Sequence, residues 1–258
     1  MIAKINQKTR TVVCYHNSLT ANPEAIEKRF AAKFSVGASF APIYHASGFA
    51  FPAWPILTAQ SPRLFQLFDW GLVPHWVQNE AQAQEMRGNT LNAKVETLAE
   101  KPSFKYALQN SQRCIVPSTG FFEWHSAHKT KFPYCIQLKQ FPIFALAGLW
   151  ETWQDAAANK TWHTFSVITT EANPLMAQIH NSKRRMPLIL RPDTERMWLQ
   201  PSLNKKEWQE LAKPLDENLM EAFTVGRLIG NPKANTNVSE VAKPVFYPEL
   251  SQQQLGLF

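Results

Sequence analysis

The sequence predicts a globular fold of mainly antiparallel strands with a few short helices, on three observations. Apolar and aromatic runs of strand length recur at hairpin-like spacing in the middle of the chain, at residues 134–138, 143–150 and 161–169. A few short amphipathic segments carry helix-start signals, the clearest being Asn22-Pro23-Glu24. With 258 residues and 45% hydrophobic content, the chain can bury a real core as one large domain or two small ones. No apolar run approaches the roughly 18 residues of a membrane span.

Lys and Arg total 27 against 20 acidic residues, giving a formal charge of +7 and a pI near 9.3. That balance admits a polyanionic partner without requiring one. Nine Trp and 17 Phe suit stacking on unpaired bases where rings lie beside basic residues, although most must be core in any fold of this size. Cys14, Cys114 and Cys135 are odd in number, widely spaced and without a CxxC pair. They indicate neither a disulfide framework nor a zinc site, and a reducing cytoplasm is the expected compartment. Residues 1–12 carry Lys4, Lys8 and Arg10 but no apolar h-region, so no secretory signal is expected.

Taken in order, Val12-Val13 leads into Cys14-Tyr15-His16-Asn17-Ser18. A helix follows that Asn22 caps, Pro23 opens, and Ile26, Phe30 and Phe34 stripe at a spacing of four. Residues 40–63, rich in Pro and aromatics, read as short strands joined by rigid loops. Residues 64–70 read as a strand ended by the turn Gly71-Leu72-Val73-Pro74-His75-Trp76. Trp70 and Trp76 bracket a loop able to stack a base; the alternative for both rings is cover for the sheet edge. A helix starts at Lys101-Pro102-Ser103 and carries Phe104 and Leu108. Residues 169–180 pass from strand to a short helix, followed by the basic loop Lys183-Arg184-Arg185 and an apolar strand at 186–190. Asp193 and Asn204 are expected to cap two amphipathic helices, and residues 228–243 to form a polar, looped wall.

The stretch 92–124 holds the most polar residues in apolar surroundings. Asn92, Lys94 and Glu96 alternate, so an extended backbone turns all three to one face. The run 113–117 and the segment 121–124 read as two β-segments joined by the turn Ser118-Thr119-Gly120. Glu123 lies between Phe122 and Trp124. If that strand is buried, desolvation raises its pKa and suits it to proton transfer near neutrality; the competing reading is an outward-facing Glu on a half-buried strand. Cys14 reads first as a small buried hydrophobe, with a reactive thiol as the alternative, and His180 equally as a capping or solvent-facing residue or a functional imidazole.

These segments together resemble the SRAP family in order and spacing. The match is carried by Trp70-Gly71-Leu72-Val73-Pro74, Asn92-Ala93-Lys94-Val95-Glu96-Thr97, Glu100-Lys101-Pro102-Ser103-Phe104, Arg113-Cys114-Ile115-Val116-Pro117, Gly120-Phe121-Phe122-Glu123-Trp124, Ala147-Gly148-Leu149-Trp150 and Thr169-Thr170-Glu171-Ala172-Asn173. The resemblance implies a single α+β domain over residues 14–250 around a mainly antiparallel, barrel-like sheet with peripheral helices, and sets residues 1–13 apart as an N-terminal extension. It also implies covalent trapping of abasic sites in single-stranded DNA, while the family's historical name implies a peptidase. The catalytic positions it transfers are Cys14, Asn92, Glu123 and His180. The DNA-binding expectations are His16, Trp70, Pro74, Trp76, Lys94, Lys183, Arg184 and Arg185. No metal or other cofactor is implied, a monomer acting on single-stranded DNA is expected, and the implied location is the bacterial cytoplasm with its nucleoid. Lys94 stands where the family usually has a phosphate-contacting arginine and supplies only a point charge. Two departures stand out: His16 replaces a second such arginine, and the segment between His180 and Met186-Pro187 is longer than usual, its basic loop 183–185 a candidate source of the missing phosphate charge.

The implied chemistry needs these residue types together. An abasic sugar must be opened by an acid-base group before the free amine of an N-terminal cysteine can form an imine and its thiol close a thiazolidine. Glu123 is the proton-transfer candidate, Asn92 the orienting group and His180 the aid to ring opening or reversal. Cys14 is internal as written, and an amide nitrogen cannot form the imine. GTG encodes valine but also serves as a bacterial start codon. Translation from position 13, or proteolytic removal of the same segment, would expose Cys14. Without exposure, the alternatives are a thiol peptidase or a non-catalytic single-stranded nucleic-acid-binding module.

Overall fold

The computed structural model describes residues 14–35, 40–155, 158–231 and 233–250; the expected N-terminal extension lies outside them. The chain enters through β1 (His16–Leu19) and turns at Asn22 into α1 (Pro23–Phe30). The Asn22 side chain accepts from the Ala25 amide, as its cap position predicts, and Ile26 and Phe30 are buried. Phe34 does not continue that stripe: Ala31 adopts a left-handed conformation that ends the helix, and Phe34 belongs to β2 (Lys33–Phe34). The Pro- and aromatic-rich region becomes β3 (Ile43–Ser47) and β4 (Ala53–Thr58), and the next run becomes β5 (Ser61–Trp70). Gly71 ends β5 at φ +108°, where an added Cβ would also press on Arg87 O at 3.1 Å. An unforeseen helix, α2 (Glu80–Arg87), follows, capped by Asn79. Then come β6 (Asn92–Lys94), α3 (Pro102–Gln109), β7 (Arg113–Ser118) and β8 (Gly120–Ala127).

The long antiparallel segments are β9 (Thr130–Leu138), β10 (Phe144–Asp155) and β11 (Lys160–Glu171). The remaining elements are α4 (Pro174–Ile179), β12 (Arg185–Pro187), β13 (Ile189–Leu190), α5 (Glu195–Trp198), α6 (Lys205–Leu211) and β14 (Met220–Thr224). Asn204 forms a full capping box with Glu207. Asp193 does not cap: its carboxylate pairs with Arg191, and Thr194 holds the cap position of α5 without a side-chain bond.

Two sheets result. β11, β10, β7, β4 and β5 pair in that order, and a parallel contact of β5 with β11, Thr164 to Asp69 and Phe165 to Trp70, closes them into a five-stranded barrel. The second sheet runs β14-β9-β8-β1-β3 and is antiparallel throughout. The expected barrel-like α+β architecture is therefore present. The predicted turn at Ser118-Thr119-Gly120 is where the chain leaves the barrel as β7 and enters the second sheet as β8. Thr119 donates its amide to Ser18 O (2.9 Å), and a Cβ on Gly120 would meet Ile136 O at 3.2 Å, so close backbone approach requires the glycine there. Trp54, Trp70, Trp153 and Trp198 are among the largest fully buried side chains. Among the described residues, no helix is long and apolar enough to cross a membrane.

Candidate functional site

The sheet crossing sets the site. β1 pairs with β8 as Asn17 to Phe121 and Ser18 to Gly120. Antiparallel register moves one strand back as the other moves forward, so continuing it sets Tyr15 opposite Glu123, with Cys14 one residue further along. The Cys14 backbone nitrogen donates to Glu123 Oε1 at 2.7 Å, across 109 residues of chain. α4 packs on β8 and ends at His180, whose Nδ1 lies 3.7 Å from Glu123 Oε2. β6 runs parallel to β11, with Asn92 opposite Val167, and Asn92 Nδ2 donates to Cys14 O at 3.4 Å. The four positions expected to be catalytic thus meet in one place.

Cys14, Glu123 and His180 are all buried. Burial raises the Glu123 pKa despite the opposing effects of His180 and the Cys14 hydrogen bonds. The outward-facing alternative for Glu123 is excluded, since its residue is 4% exposed. Burial, reinforced by the Glu123 charge, pushes the Cys14 thiol well above its usual value, so it is held as SH. His180 Nδ1 lies 3.1 Å from Arg185 O. A carbonyl only accepts, so Nδ1 carries the hydrogen of that bond.

The residues expected to bind DNA divide sharply. Lys94, Lys183 and Arg184 are exposed, as is Trp76, at 45%. Trp70 corrects the expectation: it is 2% exposed, its indole N–H donates to Leu91 O at 2.8 Å, and it stacks on Phe165, so its face is spent inside the barrel. Pro74 is likewise buried. Arg185 is already committed, with a bidentate pair to Glu96 (2.6 and 3.0 Å) and a bond to Thr169 O, so a phosphate there must compete with a carboxylate. His16 does not replace a cationic arginine. Burial, followed by the neighbouring His45, lowers its pKa to about 3, leaving it neutral at physiological pH.

Sequence reasoning missed what stands behind His16. Its Nδ1 bonds His45 Nε2 at 2.8 Å, and His45 Nδ1 bonds Thr236 Oγ1 at 2.7 Å, while the Trp124 ring packs edge-on against His16. His45 carried no signal beyond its place in an aromatic-rich run, and Thr236 lay in a segment expected only to be a wall. A second dyad was also unread. Glu151, buried with its side chain 2% exposed, accepts from the His75 amide (2.9 Å) and contacts the His75 ring, which packs against Tyr106.

The family model described as SOS response associated peptidase (SRAP) matches residues 13–232 of this chain. Abasic site processing protein YoqW of Bacillus subtilis is 41% identical over 199 residues, covering 75% of this chain and 84% of that protein. Abasic site processing protein HMCES of Xenopus tropicalis is 29% identical over 195 residues, covering 68% of this chain and 56% of that protein. Among solved structures, a crystal structure of a Bacteroides thetaiotaomicron protein superposes with a TM-score of 0.84 at 39% identity, covering 90% of this chain and all of that one. On the extent of that family match and the 41% identity, this chain belongs to the SOS response associated peptidase (SRAP) family.

Proposed function

We propose that this protein processes abasic sites in single-stranded DNA by forming a covalent thiazolidine link through the amine and thiol of Cys14. The observation that carries the reading is the 2.7 Å contact between Cys14 N and Glu123 Oε1, both residues buried, with His180 Nδ1 3.7 Å from the other carboxylate oxygen. A nitrogen there is beside a carboxyl whose pKa burial raises, which favours its holding a proton to give. The names of the relatives, abasic site processing proteins, support the substrate.

The Cys14 amine adds to the C1′ aldehyde of the opened sugar, and Glu123 protonates the departing hydroxyl, which leaves as water, giving the imine. The Cys14 sulfur then adds to the imine carbon while the thiol proton passes to nitrogen, closing the five-membered ring. One water is lost overall. His180 Nε2 takes and returns the proton that opens the sugar hemiacetal, and Asn92 holds the Cys14 carbonyl so that amine and thiol face the same carbon. The α-amine of a free terminus, with a reference pKa of about 7.7–8.0, is partly neutral without tuning. The active species in this reading begins at Cys14, and residues 1–13 are an extension that start-site choice or proteolysis removes. A thiol peptidase reading fits less well, because the Cys14 environment favours SH over the thiolate such an enzyme requires.

The test uses two chains, one beginning at Cys14 and one beginning at Met1 with intact mass confirmed. Each is incubated with uracil-containing single-stranded DNA treated with uracil glycosylase. A heat-stable, slower-migrating band from the first chain alone is expected. No band from a chain with a confirmed Cys14 terminus overturns the reading, and a heat-stable band from the Met1 chain overturns the thiazolidine mechanism.

A further inference from the structure

Cys14, Glu123 and His180 are a ligand set as well as a reaction set. A thiol sulfur, a carboxylate oxygen and an imidazole nitrogen, all from buried residues, lie within 4.8 Å of one another. Around a tetrahedral zinc ion, bonds of about 2.0–2.3 Å put neighbouring ligand atoms roughly 3.3–3.7 Å apart, so contraction by about an ångström closes this set. The donor types are those zinc takes, thiolate, imidazole and carboxylate. A fourth donor is adjacent: Cys14 N already sits 2.7 Å from Glu123 Oε1. Once that nitrogen is an amine, Cys14 can bind through N and S in a five-membered chelate ring. His180 Nδ1 lies 3.7 Å from Glu123 Oε2 and 3.1 Å from Arg185 O, so a metal bound through Nδ1 replaces its bond to that carbonyl.

We propose that the chain beginning at Cys14 binds a zinc ion through Cys14 N and Sγ, Glu123 and His180, and that the metal-bound form is a resting state unable to crosslink. The inference rests on the proposed exposure of the Cys14 amine. Binding releases the thiol proton, and the ammonium proton where the amine is charged, to solvent. The metal then occupies the nitrogen and sulfur lone pairs that the sugar aldehyde needs, so metal and abasic DNA exclude one another. The zinc here is a competitor that shields a nucleophilic terminus from stray aldehydes and oxidants, and has no part in the crosslinking steps.

The experiment titrates Co2+ as a spectroscopic probe, then Zn2+, into chelator-stripped chain beginning at Cys14. The expected result is a saturating thiolate-to-cobalt charge-transfer absorption at one metal per chain, displaced by Zn2+. It is lost in Cys14→Ser although Cys114 and Cys135 remain, and affinity falls roughly tenfold or more in His180→Ala. Thermal melts confirm that both variants are folded; if His180→Ala is not, Cys14→Ser and the DNA competition decide alone. In the crosslinking assay, saturating Zn2+ should abolish the heat-stable band and excess EDTA restore it. The proposal is overturned by absence of the absorption, by its persistence in Cys14→Ser, or by crosslinking unaffected at saturating Zn2+. Crosslinking in EDTA tests the proposed function alone, so a missing band there with intact metal binding removes that function and leaves the metal site standing.

Discussion

Glu123→Gln should weaken the chemistry and strengthen the fold. Glutamine keeps the shape and leaves an oxygen to accept from Cys14 N, which Glu123 Oε1 does at 2.7 Å, but it can neither donate nor take a proton as an acid-base group. Loss of a positioned general acid-base costs roughly 10²–10⁴ in rate, or about 2.7–5.5 kcal/mol. Stability moves the other way. The folded pKa of Glu123 is raised by burial, so the native state holds its proton more tightly than the unfolded chain. Stability therefore declines as pH rises from the unfolded value, about 4.3, and the full penalty is present above the folded value. Glutamine removes that penalty, gaining about 1.4 kcal/mol for each unit the pKa is raised, and a chain of this size converts each kcal/mol into roughly 2–4 °C of melting temperature. The assay pairs single-turnover crosslinking by chains beginning at Cys14, in EDTA, with melting curves from acid to neutral pH on chains beginning at Met1, where the Cys14 nitrogen is the amide that faces Glu123. The two proteins should melt together below the unfolded pKa and separate, with Gln higher, as pH rises. A crosslinking rate within tenfold of the parent, or a Gln variant that melts lower across the whole range, refutes the assignment of Glu123 as a buried proton-transfer group.

The two tryptophans of the aromatic turn should behave oppositely. Trp70→Ala empties a core site and should cost about 3–5 kcal/mol of stability in denaturant melts, while Trp76→Ala should leave stability nearly unchanged and weaken single-stranded DNA binding by about 1–3 kcal/mol in fluorescence anisotropy. Lys94→Ala, at an exposed position beside the site, should weaken binding uniformly across sequences and reduce the salt-dependence slope by about 1 when anisotropy titrations are repeated at several salt concentrations.

Local chemistry was legible at some positions where a residue acts on its own backbone. Asn22 and Asn204 cap where their types and flanking residues said they would, whereas the caps Asn79 on α2 and Asn173 on α4 went unread. What was not legible is decided by partners far along the chain. The parallel pairing of β5 with β11 that closes the barrel joins residues almost a hundred positions apart, and no local pattern encodes it. That closure is why Trp70 was misread: a strand ending in aromatic residues does not say which face a barrel encloses. Asp193 failed as a cap because Arg191, two residues away, claimed its carboxylate. His16 was weighed only as a weaker stand-in for a phosphate contact, and its lowered pKa follows from burial and from His45, 29 residues away, on a paired strand.

The conformation of Cys14 links the register of β1 to the question of its terminus. Its φ of 50° is left-handed, a region that costs a non-glycine residue roughly 1–2 kcal/mol because Cβ crowds the backbone. The cost is offset by the bond from Cys14 N to a buried carboxylate, which the β1–β8 register delivers to that point. φ is a torsion about the N–Cα bond measured from the preceding carbonyl carbon. With residue 13 gone, that torsion and its crowding vanish, while β1, Asn92 and Glu123 still hold the Cys14 nitrogen in place. The freed nitrogen still has N–H groups to donate to Glu123 Oε1. A chain beginning at Cys14 would thus keep the geometry and shed the strain, so exposure of the amine needs no rearrangement of the fold around it.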